Sequence, residues 1–117
     1  MHDLSAEIAY ELENFSKEVE DIVSEEIEIV GKEMAKELKS VSPKRTGDYA
    51  KGWRMKRESK HKIIVQNSKK PYLTHLLEHG HAKRNGGRVR AIPHIKSTET
   101  KYQEKLAENI KVEVIRW

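Results

Sequence analysis

The sequence predicts an α+β fold in which a long N-terminal amphipathic helix packs on a small antiparallel sheet, with a short middle helix and a C-terminal helix. Three observations lead to this prediction. Apolar residues recur at helical spacing through the first third of the chain, two short middle segments are typical of strands, and turn residues separate the later elements. With 117 residues, of which 36% are hydrophobic and 36% charged, the chain is predicted to form a single domain, 1–117, with a thin core.

The longest predicted element is a helix over about residues 3–40. Eleven apolar positions recur with a mean step of about 3.7 residues: Leu4, Ile8, Leu12, Phe15, Val19, Val23, Ile27, Val30, Met34, Leu38 and Val41. This step is helical and differs from the step of about 3.5 that a left-handed coiled coil requires. Gly31 predicts a kink or a break within the helix. The helix is predicted to end at Val41-Ser42-Pro43, because a residue that precedes proline is disfavoured in a helix.

The middle of the chain, residues 46–95, is predicted to hold the sheet, the short helix and a basic loop. Thr46-Gly47 is a turn signal, and the segment around Trp53 alternates apolar with charged residues. The run 61–66, HKIIVQ, is β-branched and apolar. The two segments therefore predict a hairpin with its turn near residues 58–60.

A short helix and a variable basic segment are predicted after this hairpin. Pro71 fits the first turn of a helix, and Gly80 stands where a glycine often ends one. Residues 81–92 are polar and basic and contain Asn85-Gly86-Gly87. They predict either a flexible loop or the tip of a second hairpin.

The C-terminal region, 97–117, is predicted to form a final helix and a tail. Ser97 or Thr98 provides a side chain that can cap the start of the helix, which continues to about Ile110. The last residues, 112–117, alternate in polarity and are predicted to be either a last strand or frayed helix.

The charges of the chain are unevenly distributed. Residues 1–40 carry 12 acids and 4 bases, a net charge of −8, whereas residues 41–96 carry 3 acids and 15 bases, a net charge of +12. Residues 97–117 carry 4 of each. Two explanations remain open: the basic segment meets nucleic acid or an acidic protein, or the unlike halves of neighbouring subunits attract each other.

The composition excludes several classes of protein. The sequence has no cysteine, so disulfides and thiolate metal sites are excluded. No apolar run approaches the roughly 20 residues that a membrane helix needs. The N-terminus is acidic from its start and lacks the basic and apolar regions of a signal peptide. We therefore expect an intracellular protein with no membrane association.

One short motif has the form of a catalytic metal site. His75-Leu76-Leu77-Glu78-His79 matches H-x-x-E-H, in which two histidines bind zinc and the glutamate acts as a base. A third ligand on a stable element is missing from the pattern, because the predicted helix ends at Gly80, and no nucleophile elbow or phosphate loop occurs elsewhere. We therefore expect no catalysis, no bound metal and no cofactor, and we interpret the histidines as capping the helix end or lining an interface.

The basic middle of the chain is the other candidate for a function. Lysines and arginines cluster in the loop and around the first turn, and such charge is enough to attract phosphates. Aromatic stacking platforms and known DNA-binding motifs are absent from the sequence. Contact with the DNA backbone without sequence preference therefore remains open, and a small basic nucleic-acid-binding regulator is the alternative function.

The order of these elements resembles a known family. The ordered residues are Ser42-Pro43, Thr46-Gly47-x-Tyr49, a hairpin ending in Asn67, Pro71-Tyr72, Leu77-Glu78-His79-Gly80-His81, a basic Gly-Gly loop and Pro93-His94-Ile95. This order resembles the tail-component family of long-tailed double-stranded DNA phages and their prophages. Its members are also described as tail-completion or head–tail joining (neck) proteins.

The resemblance implies a structural role and no reaction. It implies that the chain forms a ring of six subunits that joins the end of the tail tube to the head connector. Its partners would then be further copies of itself, head-connector and tail-tube proteins, and DNA backbone where the ring surrounds it. The protein would lie in the neck or tail of the virion after assembly in the cytoplasm of the bacterial host. The candidate contact residues are Lys44, Arg45, His79, His81, Lys83, Arg84, Arg88 and Arg90.

Overall fold

The computed structural model describes residues 4–11, 15–44, 47–83 and 85–116, and it has the α+β architecture that the sequence predicts. The elements in chain order are β1 (Ala6–Ala9), α1 (Lys17–Val41), α2 (Asp48–Lys51), β2 (Trp53–Ser59), β3 (Lys62–Asn67), α3 (Leu73–His79), β4 (His81–Ala82), β5 (Arg88–Val89) and α4 (Ile95–Arg116). The molecule is elongated, with extents of 59 × 23 × 21 Å. No helix among these residues is long and apolar enough to cross a membrane.

The prediction of one helix over residues 3–40 is wrong in its first part. β1 lies there instead and pairs with β3 in an antiparallel register, and α1 begins only at Lys17. The apolar residues Leu4 and Ile8 lie four positions apart, a spacing that fits the two-residue repeat of a strand as well as a helical turn. Leu12, which continued the predicted stripe, lies outside the described residues. The error therefore came from an ambiguous spacing at the N-terminus.

α1 has clear start and stop signals and continues through its glycine. The side chain of Ser16 accepts a hydrogen bond from the backbone N–H of Val19 at 3.3 Å, which caps the first turn. The helix ends at Val41 with Ser42 as its C-terminal cap, as predicted from the proline that follows. The sequence allowed a kink or a break at Gly31, and the break is wrong, since one helix spans this position. A Cβ atom at this position would lie 3.1 Å from a methyl group of Ile63, so the glycine lets α1 approach the sheet closely.

The three-stranded sheet has the order β1-β3-β2, with both pairs antiparallel. The predicted hairpin is confirmed, although its turn lies at Lys60-His61 and an irregularity in register occurs between Arg57 and Ser59. One face of the sheet packs against the helices and is fully buried at Ala6, Ile8, Ile63, Val65 and Trp53. The alternate side chains of β2 and β3 lie on the opposite, polar face.

α4 covers the outer edge of β1. The side-chain amide of Gln103 pairs with both backbone groups of Ala9, donating to its carbonyl at 2.8 Å and accepting from its N–H at 3.2 Å. The carboxylate of Glu99 accepts the N–H of Glu7 at 2.8 Å. These contacts occupy backbone groups that a further strand would otherwise bind. α4 also continues through residue 116, so the alternative of a last strand over 112–117 is wrong for the described part of that segment.

Ion pairs within the chain neutralise part of the acidic helix. Lys101 contacts Glu37 at 2.6 Å, and this hydrogen bond holds the pKa of Glu37 below its usual value. Near the other end of α1, Lys60 in the hairpin turn lies 2.9 Å from Asp21. These pairs hold α1 antiparallel to α4 and against the sheet. Part of the charge asymmetry is therefore satisfied inside one subunit.

The edge contact of Gln103 predicts a loss of stability on its removal. Gln103→Ala should lower the free energy of unfolding by about 1–2 kcal/mol, because two backbone groups of Ala9 lose their partners. Urea denaturation followed by circular dichroism measures the change. Glu104→Ala, at an exposed position of the same helix, is the matched control and should change stability little. Equal effects of the two substitutions would contradict the proposed edge contact.

Candidate interaction surface

The basic segment projects from the junction between α3 and α4, and a buried carboxylate holds this junction together. Glu78 of α3 is only 6% exposed, and it accepts hydrogen bonds from the backbone N–H groups of His94 and Ile95, both at 2.8 Å, and Lys96, at 2.9 Å. The first N–H groups of a helix have no partner within the helix. Glu78 therefore caps α4 from a different helix.

The electrostatics of Glu78 fit this capping role. Burial by itself raises the pKa of the carboxyl group, but the three backbone hydrogen bonds outweigh burial and hold the pKa below its usual value. The carboxylate is thus anionic at neutral pH. Its negative charge lies at the positive end of the α4 dipole.

A buried polar chain extends from this junction to the end of α1. The Nδ1 atom of His94 lies 2.7 Å from the carbonyl oxygen of Ile92, which can only accept, so Nδ1 carries a proton. The Nε2 atom of His94 lies 2.7 Å from the hydroxyl oxygen of Tyr49, and in the neutral imidazole it accepts that hydroxyl's hydrogen bond. Burial, together with the charge of Glu78, raises the pKa of Tyr49, which keeps the hydroxyl protonated.

Trp53 continues this chain. Its ring lies edge-on to Tyr49, with 5.7 Å between the ring centroids, and its Nε1 donates to the hydroxyl of Ser42 at 2.7 Å. The Ser42 hydroxyl in turn donates to the carbonyl of Leu38 in the last turn of α1. The end of α1, the start of β2 and the start of α4 are therefore fixed relative to one another.

The basic segment itself forms a second hairpin, which confirms that alternative over a flexible loop. β4 and β5 pair in an antiparallel register, His81 opposite Val89. Gly80 begins the hairpin with a φ of 74°, and a Cβ atom there would lie 2.5 Å from the carbonyl oxygen of Val89. The N–H of Ile92 donates to the carbonyl of Leu77 at 2.7 Å and closes the base of the hairpin. The hairpin is thus anchored to α3 at both of its ends.

Three of the predicted contact residues lie exposed on this hairpin. Lys83, Arg88 and Arg90 form no salt bridge with the described residues, and Arg88 donates only to the carbonyl of His79, at 3.1 Å. His79 is exposed beside the hairpin base. His81 is half-buried, and its Nδ1 has no hydrogen-bond partner among the described residues.

The remaining predicted contact residues are placed differently. Lys44 donates to the carbonyls of Ser40 and Ser42, the latter at 3.3 Å, so its charge lies at the C-terminal end of α1. Arg45 and Arg84 lie outside the described residues. The structure therefore gathers the five residues His79, His81, Lys83, Arg88 and Arg90 around one projection, whereas Lys44 lies at a helix end.

The H-x-x-E-H motif is divided between two sides of α3. His75 and His79 are exposed, with 4.9 Å between their ring centroids, whereas Glu78 is buried against α4. The carboxylate that a zinc enzyme would use as a base is bound to three backbone N–H groups. Within the described part of the chain, no group of three or more histidine and acidic side chains is arranged to hold a metal ion.

An apolar cleft lies beside the base of the hairpin. It has a volume of about 380 Å³ and is lined by Pro43, Gly47, Asp48, Tyr49, Lys70, Tyr72, Leu73 and Leu77. Tyr72 is 51% exposed at its mouth. Basic residues occur on the segments that form the cleft and on the hairpin. We call these residues, Lys44, Lys51, Lys69, Lys70, Lys83, Arg88 and Arg90, the cationic end of the molecule.

Comparison with known proteins gives one family match. The model of the family described as HK97-gp10_like, "Bacteriophage HK97-gp10, putative tail-component", matches residues 6–80. The match covers more than half of the chain, from β1 to the glycine that precedes the basic hairpin. Neither the curated proteins nor the solved structures give a significant match.

The role of Glu78 predicts a pH-dependent effect of its substitution. Glu78→Gln should destabilise the protein by about 1–2 kcal/mol at neutral pH, because the amide cannot accept all three N–H groups. Since the folded-state pKa is depressed, the stabilisation is complete above the usual pKa of 4.5 and is lost as the pH falls through the folded-state value.

Urea denaturation of both proteins between about pH 3 and pH 8 checks this dependence. The difference in unfolding free energy should shrink toward zero at the acidic end. Glu108→Gln, at an exposed position of α4, is the control and should have little effect at any pH. A difference for Glu78→Gln that stays constant with pH would be inconsistent with the capping role.

The root of the hairpin predicts a contrast between two glycines. Gly80→Ala should destabilise the fold by about 2–4 kcal/mol, because it combines a positive φ with a clash against backbone. Gly86 also has a positive φ, 89°, but has nothing within 4 Å, so Gly86→Ala should cost about 1 kcal/mol. Thermal denaturation of both variants measures the contrast, and equal losses would argue against the close contact at the hairpin root.

Proposed function

Because the chain belongs to the HK97-gp10-like family of phage tail components, we propose that it is a subunit of the neck of a phage or prophage. In this proposal a ring of such subunits joins the end of the tail to the head connector, and the chain catalyses no reaction. The family is structural, and a tail component is part of the virion.

The observation that carries the proposal is the anchored cationic hairpin. It projects from the α3–α4 junction, where Glu78, Gly80 and Ile92 fix its root. Its exposed bases form no salt bridge with the described residues, so their charge is available to a partner. A projection with a fixed root presents that charge at a defined place, which supports docking onto a neighbouring protein of the neck, further copies of the chain included.

The same cations support contact with DNA only through phosphates. Among the described residues, Tyr72 is the exposed aromatic side chain of the cleft beside the cationic end, so a platform for stacking successive bases is not built there. A ring that surrounds passing DNA needs contacts with phosphates that do not depend on the base sequence. This argument favours the neck subunit over the alternative of a nucleic-acid-binding regulator.

Removing the protein from the phage tests the proposed function. A nonsense codon early in α1 should leave complete heads and complete tails that fail to join, as seen by negative-stain electron microscopy of lysates. Supplying the intact chain from a plasmid should restore joined particles. Normal joining without the chain would refute the neck role, and a lysate that lacks structural proteins altogether would favour the regulator.

A further inference from the structure

Among the described residues, two charged surfaces of opposite sign carry bases or acids that form no salt bridge within the chain. One is the cationic end. The other is the outward face of the N-terminal half of α1, where Glu18, Ile22, Glu25 and Ile29 follow one another at steps of four, three and four residues. We call these four residues the acidic stripe.

The acidic stripe combines unpaired acids with exposed apolar side chains. Glu18 and Glu25 are exposed, and neither forms a salt bridge with the described residues. Ile29 is 42% exposed although it lies in the middle of a long helix, and Ile22 is half-buried. A surface of this kind fits a partner that offers positive charge around an apolar cleft.

The C-terminal half of the same helix face has the opposite charge. Lys32, Lys36 and Lys39 are exposed there, in continuation of the acidic stripe. These lysines would repel a cationic partner. Attraction is therefore confined to the first half of α1.

The acidic stripe cannot reach the cationic end of its own chain. Sixteen residues separate Glu25 from the end of α1, which corresponds to about 24 Å of helix. The cleft lies beyond that end, where Pro43 and Gly47 line it. Any contact between the two surfaces must therefore be made between copies.

We propose that the acidic stripe of one copy docks onto the cationic end of the next, with Ile29 directed toward the cleft at Tyr72 and Leu77. The contact uses two different surfaces, so it is heterologous, and repeating it gives a ring when the rotation closes. The proposal rests on the proposed function only in that the chain assembles with itself. The occupant of the cationic end is a second copy because the same chain supplies a matching surface of opposite charge.

Site-directed cross-linking tests this contact directly, since the chain has no cysteine of its own. Ile29→Cys and Asn85→Cys introduce single thiols on the acidic stripe and at the tip of the hairpin without removing a charge. The two proteins are mixed in equal amounts with a short bis-maleimide, and intact mass identifies each cross-linked pair. The mixed pair should exceed either self-pair by about fivefold at low salt, because only the mixed pair spans the contact.

Two controls make the result specific. Lys36→Cys, on the basic half of the same helix face, should give little cross-linking with Asn85→Cys. Raising the salt from about 50 mM to about 500 mM should abolish most of the enrichment, since the Debye length falls below the spacing of exposed charges.

The proposal is overturned if the Ile29→Cys self-pair dominates, if no pair is enriched, or if salt leaves the enrichment unchanged. The proposal is also overturned if Lys36→Cys gives as much cross-linked product with Asn85→Cys as Ile29→Cys does. None of these outcomes bears on the neck role, because the joining of heads and tails is measured with the intact chain. Conversely, an enriched mixed pair stands even if the chain proves unnecessary for joining.

Discussion

The buried carboxylate of Glu78 connects α3 with the start of α4, two elements that are separated in the sequence by the basic hairpin. It binds the first backbone N–H groups of α4, and so it determines where that helix begins and how it leaves α3. The position of α4 then decides which residues meet β1, whose outer edge is satisfied by Gln103. The hairpin root lies between α3 and α4 and is fixed by the same junction. The cap of α4, the protection of the β1 edge and the position of the cationic hairpin are thus linked through the side chain of Glu78.

Much of the architecture follows from local signals in the sequence. The hairpin of β2 and β3, the stop of α1 before Pro43 and the end of α3 at Gly80 each depend on a few neighbouring residues, and the structure has all of them. β1 was missed because its apolar spacing also fits a helix, and because its pairing with β3 depends on residues more than fifty positions away. The resemblance to the tail-component family depends on the ordered turns of the middle segment. It was therefore unaffected by the wrong prediction for the N-terminal segment.

The chemistry of the candidate site was harder to predict than the fold. Glu78 has the spacing of a zinc enzyme in the sequence, and no local pattern could indicate that its oxygens bind the start of a helix sixteen residues later. The bonds of Tyr49 with His94 and of Trp53 with Ser42 likewise join segments distant in sequence. The exposed bases of the hairpin were predicted, because runs of charge without apolar partners lie at the surface whatever the fold.

The distribution of charge explains how a small elongated chain can serve an assembly. Pairs such as Lys101 with Glu37 use some of the acids of α1 to hold the subunit together. Glu18 and Glu25 on the outward face of α1, and the bases of the cationic end, form no salt bridge with the described residues. The acids of α1 are divided in this way because the sheet and α4 contact only the sides of α1 that face them.

Hydrogen exchange of three backbone amides measures the central interaction most directly. N–H groups in the first turn of a helix normally exchange quickly, because no carbonyl of the helix binds them. Since Glu78 binds those of His94, Ile95 and Lys96, their exchange at neutral pH should be slow and comparable to that of amides in the middle of α4. Fast exchange of all three, in a protein whose α4 interior is protected, would contradict the account.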